Sequence, residues 1–136
     1  MAVAPSFECF AETYQAGQAQ VVSTTLVADL ETPVSAMLKL ADGLPNSFLL
    51  DSVEGGAVRA RYSIIGLKPD LIWRCHGDQA EINRAARYDL DDFAPCPEPA
   101  LDALRRLVDE SRIDNMPEDL PPMAAGVVGY MSYDMV

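Results

Sequence analysis

Cys75 and His76 are the first residues whose types could do chemistry together, as a thiol beside a base. Nucleophilic catalysis needs the base aimed at the thiol by tertiary geometry, whereas adjacent strand residues point to opposite faces. Both are therefore expected to be structural. Cys9, Cys75 and Cys96 are odd in number and widely spaced, which suits neither a metal-ligand pattern nor a disulfide framework. With His76 the single histidine, a zinc site within this chain is not expected. Asp91-Asp92 could attract a cation, but two acids in a Pro-rich loop ordinarily stay solvated. Gly126 and Gly129 flank Val127-Val128 without a phosphate-loop lysine, so no nucleotide site follows. Arg59, Arg61 and Arg74 read as solvated strand positions, and Trp73 and the four phenylalanines as core.

The bulk properties narrow the choice of partners. The chain has 136 residues, about one domain's worth, and 49% of them are apolar, enough for a packed core. A net charge of −11 argues against nucleic acid, because phosphate binding needs clustered Lys and Arg. Only Lys39 and Lys68 are lysines, and the arginines are spread along the chain. The N-terminus lacks a basic region followed by an apolar stretch, so no signal peptide is expected. No apolar run approaches the roughly 20 residues that span a bilayer. A cytoplasmic location fits these features.

The elements that must position any site can be read from periodicity and punctuation. Ser6 could cap a short helix with Phe7, Phe10, Ala11 and Tyr14 on one face and Gly17 as its stop. Gln20–Ala28, rich in Val and Thr, reads as a strand. Next comes a well-marked helix, with Thr32 as N-cap, Pro33 at its first position and Gly43 just past its end. Val34, Met37, Leu38 and Ala41 form its expected buried stripe. Strands follow at Ser47–Val53, Arg61–Leu67, Leu71–His76 and Gln79–Arg84, separated by turn signals such as Glu54-Gly55-Gly56 and Lys68-Pro69-Asp70. This pattern predicts an antiparallel meander with one packed face.

Asp91–Pro99 reads as a loop, and Ala100–Ser111 as a helix with Leu101, Leu104, Leu107 and Val108 as its stripe. Asp102 stands four residues before Arg106, the spacing of a helical ion pair. The last segment, Ala124–Val136, is apolar on both faces through Val127–Met131, as a central strand would be. Because it carries no cap or polar tail, the expectation is that the natural chain continues beyond it. There is no internal repeat. The fold class is α+β, with mainly antiparallel sheets and helices packed on the outside.

Three segments resemble the N-terminal region of the anthranilate synthase component I family. They are TPVSAMLKLADG at Thr32–Gly43, SFLLDSVEGGAVRARYSIIGLKPDLIWR at Ser47–Arg74 and AGVVGYMSYDMV at Ala125–Val136. The resemblance runs over residues 1–136 and extends, less closely, to aminodeoxychorismate synthase component I, a folate enzyme. It implies an incomplete part of a larger two-subdomain, chorismate-utilising fold, with the C-terminal chorismate-binding domain absent. A stand-alone small-ligand-binding domain without catalysis is the reading from another class.

The resemblance implies more than a fold. Full-length members are lyases of tryptophan biosynthesis that turn chorismate and ammonia into anthranilate and pyruvate with Mg2+. The ammonia comes from glutamine through a glutamine amidotransferase subunit, component II. Chorismate and metal residues would lie outside this chain, which alone should be inactive, so no catalytic or metal-ligating residue is expected within it. The leading region is implied to help form an allosteric feedback pocket for L-tryptophan. Leu49-Leu50-Asp51-Ser52 matches the family's Leu-Leu-Glu-Ser element, with Asp51 where the family usually has Glu. Alternation sends Leu49 and Asp51 to one strand face, Leu50 and Ser52 to the other. The Ser52 hydroxyl and backbone groups at a strand end could hold an amino acid's ammonium and carboxylate within apolar walls. Pro33 matches a position near the same pocket. The expected tryptophan-site residues are thus Ser52, Asp51, Leu50 and Pro33.

Overall fold

The structure is a computed structural model that describes residues 2–51, 62–114, 116–121 and 123–133. The chain divides into two compact units, residues 1–29 with 106–136, and residues 30–105.

In the first unit, β1 (Val3–Ala4) precedes α1 (Phe7–Gln15). Ser6 caps α1 as predicted: its hydroxyl accepts from the Cys9 N–H at 3.4 Å. Of the expected apolar face, Phe10 and Ala11 are half-buried, whereas Phe7 and Tyr14 are exposed. Phe10 and Tyr14 stack with ring centroids 5.9 Å apart. The predicted strand Gln20–Ala28 shrinks to β2 (Ser23–Thr24), antiparallel to β1. Its partner ends at Ala4 because Pro5 has no N–H to give a ladder. The Gln20 side chain instead donates to the Phe10 carbonyl at 3.0 Å.

Over the described part of the run, up to Tyr133, the structure corrects the strand expected at Ala124–Val136. Residues 123–133 contain no strand; Ala124 and Gly126 close turns onto Pro121 and Met123. Tyr130 and Tyr133 are almost fully exposed. An apolar run becomes a strand only when a neighbouring strand takes its backbone hydrogen bonds, and no described strand pairs here.

In the second unit, α2 (Pro33–Ala41) is the best-punctuated element. Thr32 Oγ accepts from Ser35 N–H at 3.1 Å, and Ser35 Oγ accepts from Thr32 N–H at 2.9 Å, a reciprocal capping box. Ala41 is buried and Met37 half-buried, but Val34 and Leu38 of the expected stripe are exposed. The half-buried side of α2 is carried instead by Pro33, Ala36 and Met37. α2 packs against the antiparallel hairpin β3 (Phe48–Leu50) and β4 (Ile64–Gly66).

The predicted meander splits in two. β3 and β4 form one sheet; β5 (Ile72–His76), β6 (Gln79–Asn83) and β7 (Ala94–Pro95) form another, all antiparallel. Lys68, with φ 52°, stands with Pro69 between β4 and β5. β7 lies inside the segment expected to be loop, and its Pro95 sits at a sheet edge, where a missing N–H is tolerated. Asn83 is fully buried at the end of β6. Its amide donates to the Asp89 carbonyl at 2.7 Å and accepts from the Ala85 N–H at 2.8 Å, organising the following loop.

α3 (Ala100–Glu110) crosses the division between the units. Its buried line is Ala100, Ala103 and Leu107, with Leu104 half-buried. Leu101 and Val108 are more exposed than expected, because the line of closest packing passes through the small alanines. The expected Asp102–Arg106 pair is replaced by Arg105–Asp102 at 2.8 Å and Arg106–Glu110 at 3.4 Å.

Candidate functional site

The candidate site lies at the end of β3, and the turn before that strand sets its direction. Gly43, with φ +70°, ends α2 in the left-handed conformation that glycine adopts without a Cβ penalty. Asn46 also has positive φ, 54°, which its short polar side chain tolerates. Ser47 Oγ then donates to the Leu44 carbonyl at 2.8 Å, and β3 begins at Phe48. Pairing of Phe48 with Gly66 fixes the register. A Cβ on Gly66 would sit 2.1 Å from the Phe48 ring, so the ring lies where a side chain would be.

From this register Leu49 pairs with Ile65 and Leu50 with Ile64. One step further, beyond the ladder, Asp51 faces Ser63, whose hydroxyl donates to Asp51 Oδ1 at 2.5 Å. A hydroxyl bonded to a carboxylate is short and charge-assisted, stronger than a neutral pair. Leu50 is 45% exposed, an apolar side chain left at the surface beside the strand end. Leu50 and Asp51 occupy opposite faces, so one ligand could touch both only around that end.

Pro33 is half-buried at the first position of α2, the helix packed on this hairpin. Helix and hairpin thus bring Pro33, Leu50 and Asp51 into one compact unit. Ser52 lies outside the described residues, as do the Glu54-Gly55-Gly56 turn, Arg59 and Arg61. Near the start of α2, Glu31 accepts from Lys39 Nζ at 2.5 Å and Ser35 Oγ at 2.8 Å. The Lys39 hydrogen bond, seconded by Ser35, holds the Glu31 carboxyl below its ordinary range.

The other chemistry-bearing residues go elsewhere. Cys75 is half-buried and its thiol donates to the Gly77 carbonyl, while His76 is exposed. All three cysteines are free thiols. Arg74 does more than face solvent: it pairs with Glu81 at 2.9 Å and lies 3.6 Å over the Phe93 ring. Asp91 and Asp92 are exposed, as expected of solvated acids. Of the phenylalanines, Phe10, Phe48 and Phe93 are half-buried and Phe7 is 78% exposed, which corrects its assignment to the core. Among the described residues no group of three or more His, Cys, Asp or Glu is placed to hold a metal ion. An open cleft of about 540 Å³ borders β6 and β7, lined in part by His76, Asp78, Glu81 and Cys96. Its acids are engaged, Asp78 with the Ala100 N–H and Glu81 with Arg74.

Sequence reasoning missed Ser63. Its signal was the hairpin register, since pairing Phe48 with Gly66 puts Ser63 opposite Asp51.

Antiparallel sheets and three helices among the described residues define a small α+β class of chain. The known proteins that the chain resembles most share one name. The chain is 55% identical over 131 residues to anthranilate synthase component 1 of Cereibacter sphaeroides, a match covering 96% of this chain and 26% of that protein. It is 36% identical over 135 residues to the protein of that name from Synechocystis, covering 98% of the chain and 25% of the relative. With the Thermus thermophilus protein it shares 40% identity over 114 residues, 82% of the chain and 22% of the relative. Over nearly its whole length the chain is similar to the N-terminal region of anthranilate synthase component 1. It spans about a quarter of the length of the curated relatives it matches. No family model matches the chain, and no solved structure matches it. No helix among the described residues is long and apolar enough to cross a membrane.

Proposed function

We propose that this chain is the regulatory, tryptophan-sensing portion of an anthranilate synthase component I. In this reading the full-length, cytoplasmic enzyme converts chorismate and glutamine-derived ammonia into anthranilate and pyruvate in tryptophan biosynthesis. A glutamine amidotransferase subunit supplies the ammonia. The observation that carries the reading is a 55% match covering 96% of this chain but only 26% of the relative.

The chain's own residues support a binding role. In this reading the residues that hold Mg2+ lie in the part of the enzyme beyond this chain. The end of β3 offers what an amino acid's ammonium group needs: a fixed carboxylate at Asp51 beside the apolar Leu50. Pro33, at the start of the helix packed on the same hairpin, and Ser52, next along the chain from Asp51, complete the proposed tryptophan site. Inhibition then follows from tryptophan favouring one conformation of the enzyme over another.

The test is to assay the full-length protein, with chorismate, Mg2+ and ammonia, for fluorescent anthranilate, with and without tryptophan. The expected result is turnover that tryptophan suppresses, and no turnover by residues 1–136 alone. Turnover that ignores saturating tryptophan would remove the sensing role, and product from the isolated chain would remove the division of labour.

A further inference from the structure

We propose that Pro95 and Pro97 close the free edge of the β5–β6–β7 sheet to strand addition, keeping a second copy of the chain from pairing with it there. Among the described residues β7 is an outer strand of that sheet, joined to β6 alone. Its register pairs Ala94 with Ile82 and Pro95 with Glu81. Just past the strand, the Cys96 N–H donates to the Ala80 carbonyl at 2.8 Å. In an antiparallel ladder, hydrogen-bonded and non-hydrogen-bonded pairs alternate. Ala94 and Cys96 therefore turn their backbone groups toward β6, and Pro95 turns its own outward to the edge.

An edge that presents free N–H and C=O groups is a template for another chain. Ala94, Pro95 and Pro97 are exposed, so the described residues leave this edge uncovered. The donors, however, are missing. Pro95 has no N–H, and neither has Pro97, the next residue of the same alternation. Phe93, two residues before Pro95, gives its N–H back to the Asp91 carbonyl at 2.9 Å. Positions 93, 95 and 97 thus offer the edge no free donor. An incoming strand could donate to the Pro95 carbonyl, but its own carbonyls would meet proline rings, losing water without gaining a partner. Pro99 is used differently: its carbonyl accepts the Ala103 N–H at 3.0 Å and starts α3. A second copy is the partner to be kept out, because it carries the same edge, and antiparallel pairing of two equal edges closes a two-fold contact.

The experiment is sedimentation velocity on the full-length protein over a concentration series, with melting temperatures, for wild type, Pro95→Val/Pro97→Val and Pro95→Lys/Pro97→Lys. Both double variants restore the N–H groups, but valine favours a strand, whereas lysine on an edge repels its counterpart in a second copy. The valine pair should self-associate at a concentration about tenfold or more below the wild type's, because a symmetric contact gains at least two backbone hydrogen bonds. The lysine pair should behave as wild type. Amide exchange at residues 95 and 97 of the valine pair should slow as its concentration rises, which places the contact at this edge. Unchanged association of a folded valine pair would overturn the proposal. Equal association of both pairs would overturn it as well, since the stiffness of proline, and not its missing donor, would then matter. Association without slowed exchange at 95 and 97 would also overturn it, by placing the contact elsewhere. Should the double variants fail to fold, Pro95→Val alone, with one donor restored, decides by the same readings.

Discussion

The Asp78 carboxylate, in the turn between β5 and β6, accepts a hydrogen bond at 3.2 Å from the N–H of Ala100, the first residue of α3. The first N–H groups of a helix have no partner within it, and Ala100 is buried, out of reach of water. A negative charge at that end also complements the helix dipole. Asp78→Ala should therefore destabilise the fold by about 1 kcal/mol. Asp78→Asn should recover much of that loss by keeping an acceptor. Urea melts of the three proteins decide it; superimposable curves would mean that Ala100 finds another acceptor.

Asn83 should be the costliest polar residue to replace. It is fully buried, and its side chain satisfies the Asp89 carbonyl and the Ala85 N–H together. Asn83→Leu leaves both backbone groups without that partner, a loss of roughly 2–4 kcal/mol. The measurement is chemical denaturation together with amide exchange at residues 85–91. A stability change under about 0.5 kcal/mol, the range of an ordinary surface substitution, would show that water replaces the amide.

Gly66 should resist any side chain. Its φ is not positive, so the constraint is the Phe48 ring and not the backbone. Gly66→Ala must push that ring aside, at a cost of about 1–3 kcal/mol for overpacking. Phe48→Ala in the same chain should make Gly66→Ala nearly neutral, and a double-mutant cycle reads the coupling directly. Additive losses would place the strain elsewhere than at the ring.

Local and long-range features differ in how far the sequence reveals them. Thr32, Pro33 and Gly43 delimit α2 because capping and positive φ are local preferences, legible from neighbouring residues. The four strands from β3 to β6 were legible for the same reason, as apolar runs cut by turn residues. The Gln20–Ala28 and Ala124–Val136 runs misled, because a strand depends on a partner that composition does not specify. In α2 the period was right but the phase only in part: Met37 and Ala41 turn inward as expected, whereas Val34 and Leu38 are exposed and Ala36 and Pro33 turn inward instead. Asp78 and Ser63 act across 22 and 12 residues of chain, through geometry set only when the chain folds back on itself. Asp51 and Leu50 could be named as candidate site residues because they stand in a motif; the hydroxyl that bonds to Asp51 could not.

On the proposed reading of the β3 end as a tryptophan site, Ser52 completes that motif, and its removal should loosen feedback in the full-length enzyme. Sequence alternation alone leads one to expect Ser52 on the Leu50 face, opposite that of Asp51. A ligand gripping the strand end would then meet a charge on one side and a hydroxyl on the other. In a mostly apolar pocket, a lost hydrogen bond leaves the ligand's own polar group unsatisfied, at about 1–3 kcal/mol or roughly 5- to 150-fold in affinity. Ser52→Ala should shift the tryptophan inhibition curve to higher concentration by that factor. Because coupling between two sites is reciprocal, chorismate and tryptophan should also antagonise each other less in the variant. The readout is paired inhibition curves, wild type against Ser52→Ala, at matched chorismate saturation. Coincident curves would remove Ser52 from the site, and an equal loss of activity in the absence of tryptophan would make it a structural serine instead.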